Sequence, residues 1–425
     1  MLEVLAYFGF RFREILHVFT LQPMKYCLRS LFLCGLFCLV TGQALAQKYE
    51  EIMTLSRTNM RQGFTLISAD SQIQLLEEQI MLRPEFQEAY YLLAYTHAWN
   101  KPEEMDFIQF HTWENTLRIS ELLEKALKID SIYEGEMIIL DIQSKLFSEW
   151  STLALKYWAK GNLDSMQICF EQAKARRGLH PSILSFYRAV LSRCPKNSFV
   201  LSSGDNTSYY FFYLQKAEGF RCDVTIADVS LLNSNWYYPK LLEEGLGHLA
   251  DSSEIMDSDF WIPWTASSFE AGGKEIAIKP SEKNYLNRSE RIQMDLLQYY
   301  YGSGYYIISG SDERQNMSLQ EDGCYTYFMK RIDAEDCIYE PVEEEVWKTL
   351  DELTSTHIAD RSCQLIIKVV VWDTLAKIFT NTENHEERIT EYNRLKELIT
   401  PYRCPKLYEE IKSTFEQADK FVYSE

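Results

Sequence analysis

The sequence has 425 residues, with 43 Lys and Arg against 62 Asp and Glu, and a formal net charge of −19 at pH 7. Such an acidic chain is a poor partner for nucleic acid or an anionic membrane surface, because their phosphates demand Lys and Arg. Its 46% hydrophobic residues suffice for folded cores, which excludes wholesale disorder, and its length predicts about two to three domains.

The N-terminus has the order of a secretory signal. Lys25 and Arg29 form a positive start, residues 31–40 are an apolar run, LFLCGLFCLV, and small residues lead to Ala46. We expect a start at Met24 and cleavage after Ala46, which exports the remainder to the periplasm or cell envelope. The residues before Met24 fit either a superfluous upstream start or an extended signal. The removed segment carries a net charge of +2, so the exported chain carries −21.

The apolar run of the signal is about half of the ~20 residues that a membrane-spanning helix needs. We therefore expect no membrane span in the exported chain.

Seven cysteines follow the expected cleavage position: Cys169, Cys194, Cys222, Cys324, Cys337, Cys363 and Cys404. Because their number is odd, at least one thiol stays free or pairs with another chain. They form no CxxC and have no His partner at zinc spacing, so we expect mainly buried free thiols, no metal and no cofactor.

Residues 47–194 have mostly helical spacing of apolar side chains. The clearest pair of helices, separated at Gly161, carries its large, small and aromatic positions at Trp150, Leu153, Ala154, Tyr157, Met166, Phe170 and Ala173. This pair resembles the tetratricopeptide repeat, a helix-turn-helix unit of about 34 residues, with Gly178 in place of the usual closing Pro. The resemblance implies a tetratricopeptide-like helical domain with a concave, protein-binding surface.

A weaker unit precedes this pair, with helices at residues 90–97 and 119–126 and an insertion at residues 98–113. Helices at about 48–83, 131–149 and 181–193 would complete the stack. The alternative is a helical scaffold whose aromatic stripe is core, which we favour for Trp150, Tyr157 and Phe170, since they hold the packing positions of the repeat.

Residues 195–333 alternate between strand and helix patterns, which predicts an α/β domain with a mostly parallel sheet. The predicted strands are residues 198–202, 224–229, 275–278, 305–308 and 324–331. The predicted helices are residues 207–218, 236–244 and 289–300.

Within this domain, residues 202–242 resemble the soluble tail of bacterial multi-pass membrane proteins that are related to protein O-mannosyltransferases, a domain of unknown function. The matching positions are Gly204, Asp205, Asn206, Glu218, Gly219, Arg221, Asp223, Val224, Ser230, Leu231, Leu232, Asn233, Trp236 and Tyr237. The resemblance spans residues 195–332 and lacks the membrane-embedded catalytic portion, so it implies no transferase activity. Thr207 and Asn235 replace carboxylates of the family pattern, which weakens any site for a hard cation.

Two matched loops, residues 202–206 and 230–235, each follow the carboxyl end of a predicted strand, where open α/β sheets bind ligands. If the strands are neighbours, the loops share one rim, suited to an anion or a sugar hydroxyl. The candidate ligand-binding residues are Gly204, Asp205, Asn206, Asn233, Asn235 and Trp236. The alternative is that Asp205 or Asn206 caps a helix and Asn233 closes a turn. We assign no catalytic residue.

Residues 334–425 predict a helical C-terminal region, with helices at 342–353, 362–380, 383–399 and 405–422. Lys368 and Asp373 interrupt the apolar second helix, which favours burial in the protein over a membrane span.

The sequence favours an exported cell-envelope module that binds a protein or glycan partner and performs no catalysis. The alternative is an envelope enzyme, or an enzyme accessory, acting on glycans or sugar phosphates at the Asp205 rim. A structural envelope protein without a small ligand is the third possibility.

Overall fold

The structure of the protein is a computed structural model. It describes residues 47–101, 108, 111–131, 133, 135–194, 196–247, 256, 261–263, 267–271, 274–278, 285–299, 305–308, 324–326, 329–331, 344–355, 367, 371, 374–375, 385–400 and 405–423. The expected signal segment and most of the helix expected at residues 362–380 lie outside this part of the chain. The chain divides into two compact units between Thr96 and His97.

The first unit contains the helices α1 (residues 47–61), α2 (Ala69–Leu82) and most of α3 (Gln87–Trp99). The helical stretch expected at about residues 48–83 is therefore made of two helices, α1 and α2. The buried Asn59 side chain closes the turn between them: its oxygen accepts hydrogen bonds from the Leu66 and Ile67 backbone N–H groups, at 2.9 and 3.1 Å. Its nitrogen donates to Gln72 Oε1 at 2.8 Å, so buried polar atoms of both helices satisfy one another.

The second unit includes the helices α4 (Trp113–Ile129), α5 (Ile142–Ala159), α6 (Leu163–Ala175) and α7 (Pro181–Arg193). The side chains of Thr112, Asp141 and Asn162 cap α4, α5 and α6 by accepting a backbone N–H of the first turn. These helices confirm the predicted helical front half. The expected helix at residues 131–149 is wrong in its start, because α5 begins only at Ile142 and continues without a break to Ala159.

Gly178 follows α6 where the repeat pattern would have its closing Pro. A Cβ atom at this position would lie 2.8 Å from the backbone nitrogen of Phe147 in α5. The chain thus passes so close to α5 that a side chain at residue 178 would collide with its backbone.

Further helices described in the second unit are α8 (Asp205–Phe212), α9 (Tyr237–Glu243), α10 (Arg288–Tyr299), α11 (Glu344–Ser355), α12 (His385–Leu398) and α13 (Pro405–Val422). A π-helical turn, Tyr213–Ala217, extends α8, and a 3-10 turn, Leu231–Asn233, precedes α9. The helical C-terminal region is confirmed at α11, α12 and α13. No helix of the described residues combines the length and apolarity that crossing a membrane requires.

The strands are β1 (Phe199–Ser202), β2 (Thr225–Asp228), β3 (Trp261–Pro263), β4 (Ser267–Ala271), β5 (Lys274–Ile278), β6 (Tyr285–Asn287), β7 (Tyr305–Ile308), β8 (Cys324–Thr326) and β9 (Met329–Arg331). The main sheet has the order β2-β1-β7-β9-β8, in which β2, β1 and β7 are parallel.

The α/β class of the middle region is confirmed, but two details of its sheet differ from expectation. The single strand expected at residues 324–331 is the antiparallel pair β8 and β9, so antiparallel strands complete a sheet that begins parallel. The strand expected at residues 275–278 is β5, which pairs with β4 in a separate two-stranded ladder.

The helices α5, α6 and α7 share one core with the sheet domain, and α8 lies at the centre of that core. Aromatic rings make the contact. The ring centroid of Phe147 in α5 lies 4.4 Å from that of Tyr210, and the ring centroid of Tyr187 in α7 lies 4.8 Å from that of Phe211. The core is therefore continuous across residues 194 and 195, where we predict a domain boundary. That boundary stays a prediction.

Arg221 joins α7 to the start of β2. Its guanidinium donates to the carbonyl oxygens of Leu191 and Cys194, at 2.7 and 2.8 Å, and so caps the C-terminus of α7. It also holds both carboxylate oxygens of Asp223 at 2.8 Å, and these hydrogen bonds lower the pKa of Asp223 to about 2. The Arg-x-Asp motif is thus a clamp between a helix and a strand.

Candidate functional site

The two candidate loops leave the same edge of the sheet, as the sequence predicts for neighbouring strands. β1 and β2 are parallel, with Ser202 opposite Asp228, and each loop follows the carboxyl end of its strand. Gly204 is exposed at the turn into α8, with φ at +84°, a conformation that glycine adopts without strain.

Asp205 and Asn206 lie half-buried in the first turn of α8. The Asp205 carboxylate accepts a hydrogen bond from the Ser148 hydroxyl of α5. Two residues after Asp205, Thr207 Oγ1 accepts a hydrogen bond from the hydroxyl of Tyr187 in α7, at 3.1 Å. The rim end of α8 is therefore bonded to two helices of the front half.

Asn233 and Asn235 bind the start of α10. The Asn233 side-chain oxygen accepts from the Ser289 backbone N–H at 3.0 Å, and the Asn235 side-chain oxygen accepts from the Arg288 guanidinium. Asn233 therefore accepts a free backbone N–H in the first turn of α10, which is a structural role although not the turn closure of the alternative interpretation. Trp236 packs at right angles to Trp158 of α5, with ring centroids 6.1 Å apart.

Asp228, which the sequence-based candidate set omits, is the most buried carboxylate of the rim, at 3% exposure. One oxygen accepts from the backbone N–H groups of Ser230 and Leu231, at 2.8 and 2.9 Å, and the other accepts from the Ser208 hydroxyl. Burial raises the pKa of Asp228 above its ordinary value, and the nearby charge of Asp205 adds to this effect, while the three hydrogen bonds oppose it. The sequence could have indicated Asp228, because it is an acidic residue near the end of a mostly apolar predicted strand, residues 224–229.

Polar side chains of α5 continue the rim into the protein interior. Lys145, Ser148, Glu149 and Thr152, which we call the α5 stripe, are all buried and recur at helical spacing on one face. Thr152 Oγ1 lies 2.9 Å from the hydroxyl of Tyr209 in α8, so the stripe meets α8 at two positions, Asp205 and Tyr209.

Glu149 lies at the centre of a buried charge cluster. Its carboxylate oxygens lie 2.5 Å from Lys145 Nζ and 3.2 Å from His111 Nε2. Burial alone would raise the pKa of Glu149, but the charges and hydrogen bonds of Lys145 and His111 outweigh it and lower the value to about 2. Glu149 therefore stays ionised, and its charge is compensated inside the protein.

In the described ranges, no three His, Cys, Asp or Glu side chains are placed together as metal ligands would be. Of the cysteines described, Cys169 and Cys194 are buried free thiols, and burial raises the pKa of each to about 12. Cys222 is also free but exposed.

Comparison with known proteins yields one match. The family model for TMEM260-associated domain 2, a domain of unknown function, matches residues 184–326, which run from α7 to β8. No curated protein and no solved structure is detectably similar to the chain. The tetratricopeptide-like unit and the tail of the O-mannosyltransferase-related proteins stay predictions, and the established similarity is to the TMEM260-associated domain 2.

Proposed function

We propose that the protein is an exported, non-catalytic interaction module of the cell envelope that binds a protein or glycan partner. The observation that carries this proposal is the use of the rim side chains. Asp205 binds α5, while Asn233 and Asn235 bind α10, so these groups connect helices to the sheet. A rim bonded in this way serves as a rigid joint, which suits a scaffold better than a reaction centre.

The burial of α5 limits where a partner can bind. Fourteen of its 18 residues are buried, and α8 packs along the face that carries the α5 stripe. The α5–α6 pair therefore packs against the sheet domain and supports it. We assign partner binding to surfaces other than the buried face of this pair.

Affinity capture tests the proposal. The tagged full chain is expressed in its native cells, recovered from the envelope, and analysed by mass spectrometry and glycan analysis. Sequencing of the recovered N-terminus tests export, with Gln47 as the expected first residue. We expect a stoichiometric partner that is retained equally by the wild type and by Asp205→Asn. Loss of the partner in a folded Asp205→Asn variant would show that the partner binds at the rim. Absence of any partner would refute the proposal.

The burial of Asp228 beside Asp205 favours a second candidate, an envelope enzyme or enzyme accessory acting on glycans or sugar phosphates. Buried carboxyl groups with raised pKa values are common at catalytic sites. Incubation with envelope glycans and sugar phosphates would test it, with release of reducing sugar or inorganic phosphate as the readout. Turnover that is lost in both Asp205→Asn and Asp228→Asn would establish the enzyme.

A further inference from the structure

The last turn of α2 exposes two large apolar side chains. Met81 is 75% exposed and Leu82 is 68% exposed, the two highest exposures among the large hydrophobic residues of the described chain. Single exposed apolar residues are ordinary, but adjacent ones on one turn form a surface that water solvates poorly.

Two exposed carboxylates lie one turn before this pair. Glu77 and Glu78 precede Met81 and Leu82 by four residues each, so each acid lies beside an apolar side chain on the helix surface. Within the part of the chain that the structure describes, neither carboxylate forms an ion pair. We call these four residues the α2 patch.

The helix itself adds negative charge at this end. The carbonyl groups at a helix C-terminus carry about half a negative charge, which a basic residue in the last turn usually offsets. The last turn of α2 has no basic residue. The next cation along the chain, Arg83, stacks over the Phe86 ring at 3.7 Å and bonds to Glu85 at 3.5 Å.

We propose that the α2 patch binds a basic amphipathic segment of a protein partner, with an apolar side chain on Met81 and Leu82 and Lys or Arg on Glu77 and Glu78. This inference rests on the proposed function and names the partner's chemistry. Charge complementarity carries the choice of partner, because an exported chain with a net charge of −21 repels acidic surfaces. A second copy of the patch would oppose like charges, and an anionic membrane would be repelled in the same way.

The test is fluorescence anisotropy of the full chain with a labelled synthetic helical peptide of Leu and Lys. The matched probe has Glu in place of Lys. We expect the Lys peptide to bind, the Glu peptide to fail, and binding to weaken with added salt. Because Met81→Ser/Leu82→Ser removes both apolar side chains from the contact, it should weaken binding by at least about tenfold. Glu77→Gln/Glu78→Gln should weaken it and reduce the salt dependence.

Leu163→Ser/Ile168→Ser is the control. These two residues of α6 are also exposed apolar side chains, and the variant has the same net charge as Met81→Ser/Leu82→Ser. Equal weakening in both variants, or equal binding of both peptides, would overturn the inference. If affinity capture yields a partner whose retention does not change in Met81→Ser/Leu82→Ser, the α2 patch is refuted while the proposed function stands. If capture yields no partner, the proposed function itself fails.

Discussion

The helices α2 and α5 both depart from the usual distribution of polar and apolar side chains, and they do so in opposite directions. α5 buries Lys145 and Glu149 at 5% and 1% exposure, whereas α2 leaves Met81 and Leu82 mostly exposed. The polar groups of α5 have partners within the protein, namely His111, Asp205 and Tyr209. Buried polar residues thus identify a joint inside the molecule, while exposed apolar residues identify a surface available to other molecules.

The largest loss of stability should come from removing one charge of the buried cluster in α5. Removing one partner of a buried ion pair typically costs about 3–5 kcal/mol, because the attraction that offset the desolvation of the other charge is lost. Glu149→Leu removes the carboxylate that lies 2.5 Å from Lys145 Nζ. We expect a loss of that size in the free energy of unfolding, measured by urea denaturation.

The double variant Lys145→Met/Glu149→Leu is the control for this prediction. It removes both charges and replaces them with apolar side chains of similar size, so it should be more stable than Glu149→Leu alone. A double variant that is less stable than the single one would show that the Lys145–Glu149 pair is not the source of the loss.

A smaller loss of stability should follow from removing the hydrogen bond between the rim residue Asp205 and Ser148 of α5. Asp205→Ala removes the acceptor of the Ser148 hydroxyl, which is buried, and an unsatisfied buried donor costs about 1–3 kcal/mol. Asp205→Asn keeps a side-chain oxygen at this position and should retain most of the stability. Urea denaturation of both variants measures the difference, and equal stability of Asp205→Ala and the wild type would contradict the role of Asp205 as a joint.

Asp228→Asn should stabilise the protein at neutral pH. Because the pKa of Asp228 is raised on folding, its ionised form disfavours the folded state at pH values above the folded-state pKa. This penalty declines as the pH falls through the folded-state pKa and is absent below the ordinary Asp value. Asn keeps the oxygen that accepts from Ser230 and Leu231 and carries no charge.

Thermal unfolding of wild type and Asp228→Asn across the acidic range tests this expectation. The midpoint of the variant should be higher near pH 7, and the two curves should converge on acidification. A variant that is less stable than the wild type at pH 7 would mean that the hydrogen bonds to the ionised carboxylate outweigh its burial.

The smallest effect on stability is expected at α2. Met81→Ser/Leu82→Ser changes side chains that are mostly in water, and such surface substitutions usually alter stability by within about 0.5 kcal/mol. Circular dichroism and urea denaturation should therefore give curves close to those of the wild type. A large loss would show that Met81 and Leu82 support the fold of the first unit.

Much of the secondary structure could be predicted because its signals are local. Pro181 at the start of α7 and the amphipathic pattern of residues 405–422 define helices whose observed bounds equal the predicted ones. The antiparallel ladder of β4 and β5 was not predicted, although Gly272 and Gly273 between the two strands are typical of a tight hairpin. The β8–β9 pair was not predicted either, because residues 324–331 contain no Gly or Pro to separate two strands.

The candidate site was predictable only in part. The shared edge of the two loops follows from parallel neighbouring strands, and the sequence suffices for that inference. The burial of the α5 stripe does not follow from the sequence, because Lys145, Ser148, Glu149 and Thr152 have the spacing of an ordinary solvated helix face. Part of what buries them is packing against α8, which follows α5 only after α6, α7 and β1.

The clamp formed by Arg221 bears on how this domain could be exchanged between proteins. A gene fusion that starts at Pro195 would deliver Arg221 and Asp223 without the helix end that the guanidinium caps. The same fusion would expose aromatic rings of α8 that α5 and α7 now cover. The smallest transferable segment therefore includes both α5 and α7 in full and begins at Ile142 or earlier, well before the matched segment itself.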